Sequence, residues 1–249
     1  MLEADKQFEN MNDVTQGHTV HAFNDELAGL RGLVLEMGEL VVEQVSNSVK
    51  ALCEEDVDLG HRVVEQDRQV DQYDMRVDEE IFRVLALRQP LAGDLRLVLA
   101  LSKVSGELAQ AGNKAKKIAR FASRIVEDDA RKPRRRLMRD IRRMQDRACC
   151  MLESSMDAIA KLDMTTAVDI VKRDEELDED FDAALRYLVT FVLEDASCIA
   201  AVLDMVFILK ALERVGDHAN HIAEQVIFVA EGRDVRYLST DVLEQDYAE

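Results

Sequence analysis

Apolar residues recur along this chain at the spacing of long helices. From Leu27 the stripe continues through Leu30, Val34, Met37, Val41, Val45, Val49 and Leu52, in steps of three or four that keep one face apolar. Asn24 or Asp25 is placed to cap this helix, which is expected to run to about Gly60. A second stripe, Val63, Val70, Val77, Ile81 and Val84, predicts a helix from His61 to about Gln89, where Pro90 breaks it. A third helix is expected over about Leu91–Val126, followed by the acidic run Glu127–Asp129 and the Arg131–Pro133 break. Three more follow, over about Arg134–Leu162, Met164–Leu193 and Ala196–Glu231, with Gly232 as the C-terminal cap of the last.

The second half repeats the first. Val63-x3-Asp67-x2-Val70-Asp71 parallels Ile170-x3-Asp174-x2-Leu177-Asp178. Leu108-x3-Gly112-x2-Ala115-x2-Ile118-Ala119 parallels Leu212-x3-Gly216-x2-Ala219-x2-Ile222-Ala223. Short connections between long helices favour antiparallel neighbours. The expected fold is therefore all-α: two tandem, sequence-related three-helix bundles over residues 23–128 and 129–235. A polar tail is expected over 1–22 and an acidic one over 236–249.

Composition agrees and narrows the function. The 249 residues include 2 prolines, 10 glycines and no tryptophan, with 33% charged residues, as long amphipathic helices require. A net charge of −18 disfavours nucleic acid, whose phosphates it would repel. Met1–Asn10 has no apolar signal region, and Asp204 interrupts the apolar patch Ile199–Leu209, so a cytoplasmic protein is expected. Cys53, Cys149, Cys150 and Cys198 lack CxxC spacing and read as free thiols.

The candidate chemistry is acidic. Asp67, Asp71, Asp74 and Asp78 fall in one narrow arc of the second helix, and Asp174, Asp178 and Asp182 repeat the spacing on the fifth, with Phe181 in the place of Asp74. Glu213 and Asp217 sit four apart on the sixth, continued by Asn220 and Glu224. Such rows are either solvated acidic faces or hard oxygen ligands for iron, zinc, manganese or magnesium. Convergence of the fifth and sixth helices would bring four carboxylates together. On the third helix Ala109 and Asn113 replace Glu213 and Asp217, and Lys114, Lys116 and Lys117 follow. His221 is placed to extend the Glu213–Asp217 row, with His218 close by. A metal-dependent carboxylate-bundle enzyme or metal store is the alternative reading, weakened by the lack of Glu-x-x-His pairs. Arg131–Arg147 forms a basic island, read as a solvated helix start or as a dock for an acidic partner or for anionic lipid.

Leu212–Glu224 (LERVGDHANHIAE), Leu85–Arg96 (LALRQPLAGDLR) and the paired VxxxDxxVD-like segments resemble the PhoU family of phosphate-uptake regulators. The resemblance extends from about Phe23 to Tyr237, twice over. It implies two similar three-helix bundles and metal ions bound through E(D)xxxD motifs. Those motifs map onto Asp67/Asp71, Asp174/Asp178 and Glu213/Asp217, while Ala109 and Asn113 occupy the fourth. It further implies a non-enzymatic, cytoplasmic negative regulator of the phosphate-starvation (Pho) regulon. Such a regulator, commonly a homodimer, links the phosphate ABC transporter (its PstB-type ATPase) to a PhoR-type sensor histidine kinase. It meets the membrane only through these partners.

Overall fold

The structure is a computed structural model that describes residues 21–127, 135–194 and 198–235. Six helices make it up: α1 (His21–Glu54), α2 (Val57–Arg88), α3 (Ala92–Val126), α4 (Arg135–Lys161), α5 (Met164–Glu194) and α6 (Ile199–Glu231). The expected acidic tail, Arg131, Lys132, Arg134 and Ala196 lie outside the described residues.

The apolar stripes turn inward as their spacing requires. Every stripe residue of α1 from Leu27 to Leu52 is buried, and so are Val63, Val70, Val77, Ile81 and Val84 of α2. Each such side chain contributes about 1.5–3 kcal/mol on removal from water. Helices α1, α2 and α3 pack on one another as one three-helix bundle, and α4, α5 and α6 form the second. The bundles are joined by α3 against α6 and by α1 against α4, and one apolar core runs through both. Small residues line the central pair, among them Ala100, Ala111, Ala115 and Ala119 of α3 and Ala211, Ala219 and Ala223 of α6, all buried. Short side chains let helix backbones approach closely.

Two helix boundaries differ from expectation. The first helix does not reach Gly60, and its start at His21 leaves Asn24 and Asp25 inside α1 rather than capping it. The α1–α2 break comes at Glu55, which takes φ 56°. The Asp56 N–H then reaches back to the Ala51 carbonyl (2.9 Å), the six-to-one bond of a Schellman end. Asp56 also caps α2, accepting from the Leu59 N–H at 2.8 Å. The second half repeats this turn at Leu162 (φ 54°) and Asp163, whose N–H bonds the Ala158 carbonyl and whose Oδ1 accepts from the Thr166 N–H at 3.2 Å. A non-glycine residue holds the left-handed position in both turns, so no glycine marks the break in the sequence. Gly60 instead sits in the first turn of α2, close to Ser123 Oγ of α3. Gly232 does cap α6, with φ 71° and its N–H on the Phe228 carbonyl (2.9 Å).

Part of the basic island is engaged within the fold. Arg143 and Arg147 turn onto Asp180 of α5 at 2.9 and 3.0 Å, Arg147 also pairs with Glu176, and Arg136 stacks on the Tyr187 ring at 4.2 Å. At the α2–α3 turn Arg88 forks onto Glu26 of α1 with bonds of 2.8 and 2.9 Å, holding the Glu26 carboxyl below its usual range. The cysteines are all free, and burial pushes the Cys149 thiol up to about 11.

Candidate metal centre

Helices α5 and α6 approach closely at Gly216. A methyl group there would overlap Leu177 Cδ2 and stand 3.3 Å from Asp174 Oδ1. Leu177 is fully buried and has little room to yield. Gly216→Ala is therefore expected to destabilise the fold by about 1–3 kcal/mol, read by urea unfolding. Gly29→Ala is the control: it meets nothing within 4 Å and is expected to stabilise α1 by about 0.5–1 kcal/mol.

The acidic rows meet over this contact. Oxygens of Asp178, Glu213 and Asp217 all lie within 4.8 Å of one another. Asp174 stands beside them, accepting from Asn220 Nδ2 at 2.9 Å and subject to the charges of Asp217, Asp178 and Glu213. Two cations on α6 offset part of the charge: Lys210 pairs with Glu213, and Arg214 with Asp217 at 2.8 Å. They do not complete the site. Glu213 Oε2 is buried without a hydrogen-bond donor. Burial, then the Asp217 charge, pushes the Asp174 carboxyl from 3.8 up to about 7. Burial raises Asp178 and Glu213 as well, with Asp217 again adding repulsion. An all-oxygen donor set with a buried acceptor that takes no hydrogen bond fits a hard divalent cation held by Asp174, Asp178, Glu213 and Asp217.

The sign of the pH dependence follows from Asp174. Its carboxyl is raised on folding, so the folded chain binds more protons than the unfolded one between about pH 4 and pH 7. This group's contribution to stability is fully present below its ordinary value of 3.8 and is lost as the pH rises through about 7. Metal-free protein is expected to lose thermal stability from pH 5 to pH 7.5 more steeply than the Asp174→Asn variant. Parallel profiles from melting scans would contradict the assignment.

The first repeat resolves the same crowding differently. Asp67 is buried and paired with the Lys116 ammonium, and Asp74 accepts from Ser105 Oγ. Asp71 is exposed. Lys116 occupies the repeat position of Asn220, as Asp67 does that of Asp174. A side-chain ammonium thus bonds Asp67 in the first repeat, where an amide bonds Asp174 in the second. Asp67, Asp71 and Asp74 do not form a group of three converging ligands among the described residues.

His221 does not extend the Glu213–Asp217 row. Its ring turns to α3, where His221 Nδ1 lies 3.2 Å and His218 Nδ1 2.7 Å from Glu107 Oε2. Glu107 carries no signal in the sequence, because its partners are 111 and 114 residues away and in the other repeat.

The PhoU domain model matches residues 34–122 and again 141–226, which include Asp67, Asp71, Asp74 and all four carboxylates of the α5–α6 cluster. The chain belongs to the PhoU family. It is 40% identical over 221 residues to the phosphate-specific transport system accessory protein PhoU homolog of Pseudomonas putida, covering 89% of this chain and 85% of that one. The accessory protein PhoU of Escherichia coli K12 is 33% identical over 228 residues, 92% of this chain and 93% of its own. The crystal structure of PhoU from Pseudomonas aeruginosa superposes with a TM-score of 0.80 at 39% identity, over 85% of this chain and 100% of that one. The two tandem three-helix bundles are thus the PhoU fold.

Proposed function

We propose that this PhoU-family chain is a negative regulator of phosphate uptake and of the phosphate-starvation regulon. It acts without catalysis, as an adaptor between the ATPase of the phosphate ABC transporter and the phosphate-sensor histidine kinase. The observation that carries the reading is the match, along nearly the whole of both chains, to proteins named for phosphate-specific transport. No described helix is long and apolar enough to cross a membrane, which suits a chain that meets the membrane through partners. In this reading it works in the cytoplasm as a homodimer, and Asp174, Asp178, Glu213 and Asp217 hold a divalent cation, manganese or magnesium in preference to zinc on their all-oxygen character.

The test is co-purification. The tagged chain is isolated from cells grown at high and at low phosphate, and bound proteins are identified by mass spectrometry. The kinase and the transporter ATPase are expected with the chain from phosphate-rich cells and depleted from starved ones. Recovery of neither under either condition would exclude the adaptor role.

A further inference from the structure

Helix α6 carries a second set of donors on the flank that faces α3, separate from the acidic cluster facing α5. One carboxylate oxygen, Glu107 Oε2, meets two imidazole nitrogens, His218 Nδ1 at 2.7 Å and His221 Nδ1 at 3.2 Å. The three groups have ligand atoms within 4.8 Å of one another. All three stand on long helices, with the histidines one turn apart. We propose that Glu107, His218 and His221 form a zinc-type metal site that pins α3 of the first repeat to α6 of the second.

The donor chemistry separates this site from its neighbour. Imidazole nitrogen favours zinc and related borderline ions, whereas magnesium and manganese prefer oxygen alone. Two histidines and a carboxylate are an established zinc set, with a fourth position left to water. Tetrahedral zinc with bonds of about 2.0–2.2 Å places neighbouring donors roughly 3.3 Å apart. The Glu107–His221 separation already matches that spacing, and the Glu107–His218 pair has only to open by about 0.6 Å to reach it. Access is present as well: the His218 side chain is 12% exposed and that of His221 48%. An ion therefore enters from the His221 side and ends against the buried ring. Asp217 and Glu224 act electrostatically on His221 and add negative potential at the entrance. Among the described residues the trio occurs once. In the repeat alignment Lys114 and Lys117 take the places of His218 and His221, and Ala211 that of Glu107.

Cobalt(II), whose visible absorption reports low coordination with nitrogen ligands, is the probe. Metal-free full-length chain is titrated with it in excess magnesium, which occupies the oxygen-only cluster. One equivalent is expected to bind with a visible band that zinc then displaces. His221→Gln and, separately, Glu107→Gln are each expected to weaken binding by more than about 100-fold, beyond what the loss of an outer-shell partner costs. Asp178→Asn, in the other cluster, is expected to retain the band. Circular dichroism verifies that each variant is folded, and with two independent ligand variants the loss of one to misfolding leaves the other decisive. Absence of the band, or the same affinity in both ligand variants, would reduce the trio to a hydrogen-bonded clasp and overturn the proposal. A band abolished by Asp178→Asn and untouched by His221→Gln would place the ion in the acidic cluster, overturning this site while leaving that one standing.

Discussion

Replacing Asp174 with Asn and Glu213 with Gln in one variant is expected to move the two measures of stability in opposite directions. In the metal-free protein the variant melts higher than the original. The two groups are crowded by Asp217 and Asp178, and burial raises both carboxyls, so each ionised charge works against folding at neutral pH. With manganese at about 100 times its Kd, the original chain gains about 2.7 kcal/mol by mass action. For a chain of this size that is a rise of about 5–10 °C in melting temperature. The variant is expected to lose that gain, because two of the four carboxylates proposed to hold the ion become neutral amides. Relief of repulsion on a metal-free acidic face would account for the first half of this result but not for the lost manganese gain. Screening by salt would raise both proteins alike and would not distinguish manganese from an equal ionic strength of sodium. Thermal melts of both proteins, with and without manganese, are the check. An equal manganese shift in the two would remove Asp174 and Glu213 from the site.

Much of this arrangement was legible before any coordinates. Steps of three and four along α1 place the stripe from Leu27 to Leu52 on the buried side, since a helix has one face for a core and the pattern has one phase. The internal repeat sets the bundle count, and the structure supplies the packing of α5 on α6 that brings Asp174/Asp178 and Glu213/Asp217 together. The misses have local causes. The α1–α2 break precedes Gly60: Glu55, a non-glycine residue, takes the left-handed conformation, and Asp56 serves as both helix end and cap. The direction of the His221 ring was hidden for a different reason. Spacing along one helix gives the face a residue occupies, whereas its partner Glu107 belongs to the other repeat. Lys116 stands in the sequence as one of three lysines after Asn113. The structure adds that it pairs with Asp67, so the two repeats offset their buried carboxylates by unlike means.

The second large effect concerns the cell. A negative regulator holds its target off while the signal is present, so its loss uncouples the target from the signal. Deleting this chain is expected to leave the phosphate-starvation genes expressed in phosphate-rich medium at the level of starved cells. Restoring the chain on a plasmid returns repression, which separates its loss from effects on neighbouring genes. Gly216→Ala serves as a graded intermediate, since the overlap with Leu177 lowers the folded population while every charged side chain is retained. The most direct test of the regulatory role is the activity of a phosphate-starvation promoter fused to a reporter, measured in phosphate-rich medium with and without this chain. The account predicts high, phosphate-independent activity in the deletion strain and repression when the chain is restored. Full repression without the chain would contradict it.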